Sequence, residues 1–273
     1  GYLIGFVVFF QLYKLAVKNA KVDGAATLLL QFLAGGSILF LLPFFPLTFP
    51  QKWETYGLLI IASIFYAIND RLQTTARKHL PVSIFSILNQ LSTVFLIVLG
   101  LTIFREPFIL NRILGAICIV TGNILLLYKK GTVQIDKNII LSILATLAFA
   151  FAISIDIGIS KQFNLPFYIM LTLVIPAIMI WFIEKIPTKA VLNEYNSPAR
   201  KYYIATGIAW GLTILFALRS FQFGEVTTIV PLQALSVLVN VIIAYFFLGE
   251  KKEEWKKIFA AILVVLGVYL TVL

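Results

Sequence analysis

The sequence predicts an all-α integral membrane protein of ten transmembrane helices, built as two inverted five-helix repeats. Three observations carry that prediction. Of the 273 residues 60% are hydrophobic and 12% charged, with a mean hydropathy of +0.98, whereas a soluble domain usually carries about 25% charged residues. Runs such as 139–155 and 258–273 hold no charge at all, and a spanning helix needs ~20 mostly apolar residues. A helix pattern in the first half recurs in the second at an offset of 144 residues. Barrel strands would instead alternate polar and apolar residues over about ten positions.

Charge, proline and glycine punctuate the chain into spans at about 2–19, 25–45, 55–77, 82–104, 109–128, 138–160, 166–184, 200–222, 226–248 and 256–273. The linkers "PFFPLTFPQKWE", "YKKGTVQIDKN" and "EKIPTKAVLNEYNSPARKYY" are too short for a soluble domain. Function is therefore expected inside the helix bundle, as one membrane domain with repeats at 1–130 and 131–273. The first apolar segment runs into "KLAVKNAK" with no small-residue cleavage motif, so it is expected to be a span and not a cleaved signal peptide.

The repeat is faint in residues and clearer in position. "VSIFSILNQLSTVFLIVLGLTIFRE" (82–106) aligns with "VTTIVPLQALSVLVNVIIAYFFLGE" (226–250) without a gap. A polar amide recurs at Asn89 and Gln233, Ser92 matches Ser236, and both windows close on a glutamate, Glu106 and Glu250. Each following helix has small residues seven apart, Gly115 with Gly122 and Ala260 with Gly267, suited to close helix packing. The matching spans are the fourth and ninth, and an odd separation reverses direction across the bilayer.

The net charge of +10 sits mostly between spans, where basic residues anchor membrane proteins, so nucleic acid is not expected as a partner. One cysteine, Cys118, excludes an intramolecular disulfide, and one histidine, His79, excludes a histidine metal cluster. No His-Glu-x-x-His or Gly-x-Ser-x-Gly motif is present, so no enzyme, metal or cofactor is expected. The composition, poor in cysteine and rich in Ile, Lys and Phe, suits the plasma or inner membrane of a prokaryote.

The segments "ARKHLPVSIFSILNQLSTVFLIVLGLTIFREPFILNRILGAICIVTGNILLL" and "RSFQFGEVTTIVPLQALSVLVNVIIAYFFLGEKKEEWKKIFAAILVVLGVYL" resemble the paired segments of the drug/metabolite transporter superfamily, specifically its ten-helix EamA-type members. The usual Gly-Glu exit is kept at Gly249 and Glu250, but the first half has Arg105 and Glu106. The resemblance implies a secondary carrier that moves a small metabolite by alternating access. It also implies a central cavity lined by the third, fourth, eighth and ninth helices, with the first and sixth nearby. It leaves the substrate open; many amides and aromatics with few interior charges favour a neutral or zwitterionic metabolite (amino acid, nucleobase or nucleoside) or a drug-like compound, with a nucleotide sugar or other anion as the alternative.

Polar residues inside spans mark the candidate site. An ionised side chain facing lipid at a helix centre costs ~2.5 to 3.5 kcal/mol, so such groups should face protein or a wet cavity. In "YAINDRLQTT", Tyr66, Asn69 and Gln73 share one helix face, with Asp70, Thr74 and Arg77 on the adjacent one. With Gln11 on the first span, Asn89 on the fourth, Trp210 on the eighth, and Gln233, Ser236 and Asn240 on the ninth, Tyr66 and Asn69 form the candidate substrate set. The alternative role for the amides is to bond helices to one another. Lys14, Asp70, Arg71 and Asp156 are the candidates for a coupling or gating ion pair, with protons as the coupling ion and Lys14 with Asp70 as a plausible fixed pair. Glu106 and Glu250 are expected to cap the helices that follow them or to pair with surface cations.

Orientation is contradictory at this level. By span order five of the 22 basic residues (Lys52, Arg105, Arg112, Lys161 and Arg219) fall on one side and the rest on the other, which would put the start of the chain outside. The family resemblance implies both termini inside. Membrane lipids and a small-molecule substrate are the expected partners, and a ligand-binding scaffold without net transport is the rival class.

Overall fold

The structure is a computed structural model. It describes the chain except residues 103, 104, 106, 130, 131, 224, 225, 251 and 252, and except the side chains of 129, 132, 133, 157, 221–223 and 226–233. The described residues form helices α1 (Tyr2–Val17), α2 (Asp23–Leu39), α3 (Trp53–His79), α4 (Val82–Leu88), α5 (Leu91–Thr102), α6 (Leu110–Leu127), α7 (Lys137–Ile159), α8 (Leu165–Glu184), α9 (Thr188–Tyr195), α10 (Arg200–Phe223), α11 (Val226–Leu248) and α12 (Glu254–Val272). A two-residue antiparallel pair, Tyr128–Lys129 with Thr132–Val133, joins α6 to α7.

Among the described residues six helical segments are long and apolar enough to cross a membrane: Val82–Thr102, Leu110–Leu127, Lys137–Asp156, Leu165–Glu184, Arg200–Ser220 and Glu254–Val272. Helices α1 and α2 are apolar but short, with 16 and 17 residues. At 27 residues α3 is long enough, but its second half carries the polar run.

Two features depart from the pattern read in the sequence. The fourth span is broken at Asn89 and Gln90, where Ser92 and Thr93 donate N–H bonds three residues back to the carbonyls of Asn89 and Gln90. The tighter turn between α4 and α5 re-satisfies backbone groups that an uninterrupted α-helix would have paired four apart. The linker after α8 holds the short helix α9. Its Glu194 is buried and accepts from the N–H groups of Lys21 (2.7 Å) and Val22 (3.2 Å) and from the Tyr203 hydroxyl (3.1 Å).

Helix ends are set by local chemistry. Asp136 caps α7 by accepting from the N–H groups of Asn138 and Ile139. Asn164 caps α8, with Pro166 in its first turn, and donates to the carbonyls of Phe45 and Pro46. Helix α3 stops before Pro81, whose ring disfavours helical backbone at the preceding residue.

Packing is pairwise. Helix α1 lies on α10 and α3 on α7; α2 lies on α10 and α3 on α8; α11 lies on α12 and α5 on α6; α1 lies on α11 and α5 on α7. Helices α2 with α8, and α6 with α12, close the set. The centre is a cluster of Phe6, Phe9, Phe10 and Tyr13 from α1, Phe85 from α4 and Tyr203 from α10.

The α6–α12 contact depends on glycine. A Cβ at Gly267 would sit 2.7 Å from the Gly115 carbonyl oxygen and 2.9 Å from the Ile119 nitrogen, and one at Gly122 would sit 3.0 Å from the Ala260 carbonyl oxygen. At Gly57 on α3 it would meet nothing within 4 Å. Gly267→Val should therefore lower stability by about 1 to 3 kcal/mol through overpacking, whereas Gly57→Ala should leave it unchanged or raised. Thermal unfolding of the two variants in detergent reads the difference.

Candidate functional site

The polar half of α3 builds a ladder along one stripe of the helix. Asn69, Asp70, Gln73, Thr74 and Arg77 are all buried, and their i, i+3, i+4 and i+7 spacing stacks them on neighbouring turns. The Asp70 carboxylate oxygen Oδ1 accepts from Asn69 Nδ2 at 2.9 Å and from Gln73 Nε2 at 3.0 Å. Gln73 passes the chain on, its Oε1 accepting from Arg77 Nε at 3.3 Å. The two α3 faces that periodicity separates are thus joined through two amides, Asn69 and Gln73.

Arg77 ends the ladder inside the aromatic cluster. Its guanidinium carbon lies 4.0 Å from the ring centre of Phe10, 4.2 Å from Phe85, 4.6 Å from Tyr13 and 4.9 Å from Phe9. Ring faces attract a cation and more strongly so where water is excluded. Tyr13 and Thr74 share a 2.7 Å hydrogen bond, and Thr27 donates to Thr74 at 2.8 Å, tying α1 and α2 to α3. Neither Arg77 nor Gln73 was among the candidates chosen from the sequence. The signal was present: Arg77 lies seven residues after Asp70, and α1 repeats aromatics at 6, 9, 10 and 13.

A second polar group joins α1 to α11. Gln11 Nε2 donates to Asn240 Oδ1 at 3.2 Å and to the Asn240 carbonyl at 3.3 Å. Three buried atoms here have no hydrogen-bond partner: Gln11 Oε1, Asn240 Nδ2 and Ser236 Oγ. Buried polar atoms are nearly always paired, and single unpartnered atoms also occur on Gln31, Asn123 and Ser142. Gln233 belongs to the same helix, but its side chain lies outside the described residues.

The other candidates fall elsewhere. Asn89 is half-buried at the α4–α5 break, where Ser92 Oγ bonds its carbonyl at 2.8 Å. Trp210 stacks on Phe9 with ring centres 4.3 Å apart and so braces the wall of the Arg77 cage. Tyr66 donates to Asp156 Oδ2 at 2.6 Å, and Tyr168 donates to Asp156 Oδ1 at 2.5 Å. This buried carboxylate is held by two phenols and by no cation among the described residues.

The four candidate charged residues do not pair with one another. Lys14 Nζ donates to the carbonyls of Arg77, Lys78 and Leu80 at 2.8 to 2.9 Å, capping α3. The expected Lys14–Asp70 pair is therefore replaced by a cation on a helix C-terminus, where orphan carbonyls and the helix dipole favour it. Arg71 pairs with Glu184 at 2.6 Å. Glu250 does not cap the helix that follows it. It accepts from the N–H groups of Val82 (2.6 Å) and Ser83 (3.1 Å) and from the Ser83 hydroxyl, at the N-terminus of α4, and lies 3.7 Å from Lys257. Glu106 lies outside the described residues.

Two cavities open at the end of the bundle where α3 stops and α4 begins. One of about 230 Å³ is lined by Lys14, Leu15, Lys18, Pro81, Leu248 and Glu250. A smaller one of about 80 Å³ lies among residues of α11 and α12 that include Tyr245, Glu250 and Lys257. Neither is lined by Tyr66, Asn69, Asn89, Trp210, Ser236 or Asn240. Among the described residues no group of three or more His, Cys, Asp or Glu is placed to hold a metal ion.

Comparison with known proteins decides the class. The model of the EamA-like transporter family matches residues 1–128 and again 136–273. The chain belongs to the EamA-like transporter family. It is accordingly a transporter of the drug/metabolite superfamily and an integral, multi-pass protein of a prokaryotic membrane. Two relatives, from Bacillus cereus and Bacillus anthracis, are each 27% identical over 226 residues, covering 78% of this chain and 77% of their own length. Each is described as a "Putative sugar uptake protein". One solved crystal structure superposes over 98% of this chain and 95% of its own, with a TM-score of 0.52 and 15% identity, a likeness of fold alone.

For this EamA-like transporter the α1–α11 pair gives a direct stability test. Gln11→Leu removes the donor to Asn240 and leaves that buried amide unpaired, at a cost of about 1 to 3 kcal/mol. Adding Asn240→Leu removes the orphan and should recover most of the loss in thermal unfolding.

Proposed function

We propose that this transporter is a secondary carrier of ten spans, arranged as inverted halves 1–130 and 131–273, that moves a small hydrogen-bonding metabolite by alternating access. Two matches of one family model to successive halves support the repeat. So does the packing: exchanging α1 with α7, α2 with α8, α3 with α10, α4–α5 with α11 and α6 with α12 maps the main helix contacts onto one another. Rocking of one such half against the other opens a site between them to each side in turn.

The observation that carries the proposal is the group of unpartnered polar atoms on Gln11, Ser236 and Asn240, because it joins α1 of one half to α11 of the other. Atoms sealed in one state and exposed in another suit a substrate rich in hydroxyl or amide groups. Asn69, Asn89, Tyr66, Trp210 and Gln233 complete the candidate lining. The name given to the Bacillus relatives favours a hydroxyl-rich, sugar-like compound within the neutral or zwitterionic range. Asp70 and Asp156, carboxylates held by neutral donors, are the candidate proton carriers, with Lys14 and Arg71 fixing helix ends around them. No catalytic role is assigned.

Counterflow in proteoliposomes tests this reading. A monosaccharide, amino acid or nucleoside that raises thermal stability, by about 2.7 kcal/mol at a hundredfold excess over its Kd, should also exchange across the membrane. Asn240→Ala and Asn89→Ala should weaken both effects while the protein stays folded. Binding without exchange would make the protein a ligand-binding scaffold, and exchange undiminished in both variants would remove these amides from the site.

A further inference from the structure

Arg77 carries a charge in the interior with few polar partners. It is 5% exposed, and of the five N–H donors of a guanidinium only the one on Nε has an acceptor, the side-chain oxygen of Gln73. Nη1 and Nη2 make no hydrogen bond among the described residues. The four surrounding rings attract the positive charge through their faces, yet a ring face is a poor acceptor for the in-plane N–H groups. Asp70 reaches Arg77 only through the Gln73 amide, which donates to Asp70 Oδ1 and accepts from Arg77 Nε. A buried cation with most of its donors unused is costly unless something completes it.

Three other cations of α1 and α3 are already satisfied. Lys14 sits on three carbonyls, Lys78 on Asp23 and the Ala20 carbonyl, and Arg71 on Glu184 and Thr75. A planar fork of donors is the geometry that grips a carboxylate or phosphate through two parallel bonds.

The 230 Å³ cavity adds an independent observation. It is lined by Lys14 and Lys18, and its one carboxylate, Glu250, is committed to the N-terminus of α4. Arg77 does not line the cavity, but Lys14, which does, holds the Arg77 carbonyl and so ties the cavity wall to the last turn of α3. A recess with low-dielectric walls and an excess of positive charge concentrates anions at its mouth.

We infer that Arg77 receives an anionic oxygen group, carboxylate or phosphate, of the transported molecule, which enters past Lys14 and Lys18. This rests on the carrier reading above and narrows its substrate towards molecules that bear such a group. The Phe9, Phe10, Tyr13 and Phe85 cage holds the guanidinium while no anion is present, and Gln73 couples its position to Asp70.

Matched probes test it, in neutral detergent free of anionic lipid and then in proteoliposomes: lactate against lactamide, propionate against propionamide, and inorganic phosphate as the second anion class. The anionic member of a pair, or phosphate, should raise the melting temperature and drive counterflow, and its neutral partner should not. Arg77→Lys keeps the charge but loses the fork, so anion affinity should fall by about tenfold or more with the fold intact. Arg77→Gln should abolish the effect, and Lys189→Gln, an exposed charge on α9, should leave it unchanged. Should Arg77→Gln fail to fold, Arg77→Lys decides alone. Equal binding of the neutral partners, or an anion effect that survives loss of the guanidinium fork, would overturn the inference. Counterflow of neutral metabolites with no anion binding would overturn it and leave the carrier standing. Neither binding nor exchange by any class would sink both.

Discussion

A helix bundle in hydrocarbon has no water with which to pair its polar groups, and that one constraint organises the molecule. The α3 ladder answers it along the helix: the buried polar side chains from Asn69 to Arg77 bond a neighbouring residue, a residue one turn away or a hydroxyl on another helix. Helix α3 is held in place by the same bonds, since Tyr13 and Thr27 reach Thr74 from α1 and α2. Among the described residues the constraint is left unmet at Gln11, Ser236 and Asn240, and at single atoms of Gln31, Asn123 and Ser142.

Helix ends obey the same rule with different means. The last carbonyls of α3 are taken by Lys14, the first N–H groups of α4 by Glu250, and the chain entering α2 by Glu194. Each of these side chains comes from a helix or loop distant in sequence. The caps therefore also act as ties between segments, and they gather at the end of the bundle that holds the basic recess. Glycine serves the complementary purpose at α6 and α12, where it lets backbone approach backbone beside the apolar packing of Ile119 and Leu126 on Ala260, Val264 and Val268.

The candidate residues were readable in part. Gln11, Ser236 and Asn240 were visible as amides and a hydroxyl in apolar runs, and the structure brings those three together. Arg77 was visible on the polar face of Asp70 and Thr74, but near a helix end, where arginines usually reach for the interface. Its inward course follows from the aromatic residues of α1 and α4 that close around it, and no local pattern specifies that neighbourhood. Of the two roles expected of Glu250 a cation partner is met by Lys257 at 3.7 Å, and the cap on the following helix is not, for a related reason. A glutamate before a helix suggests a cap on that helix, whereas its actual target lies 167 and 168 residues away.

The sequence by itself determined the solvent and the class of structure. Hydropathy and charge act on each segment separately and nearly additively, so apolar runs, their helical nature and the position of buried polar residues can be read without knowing any contact. Tertiary structure decided which partners those residues take. Partner choice depends on how helices are rotated and tilted against one another, and a turn of about 100° per residue moves a side chain from one neighbour to the next. The break at Asn89, the caging of Arg77 and the replacement of a Lys14–Asp70 pair by a helix cap all belong to that second level. They are settled by the summed packing of the bundle, and no single segment carries enough information to fix them.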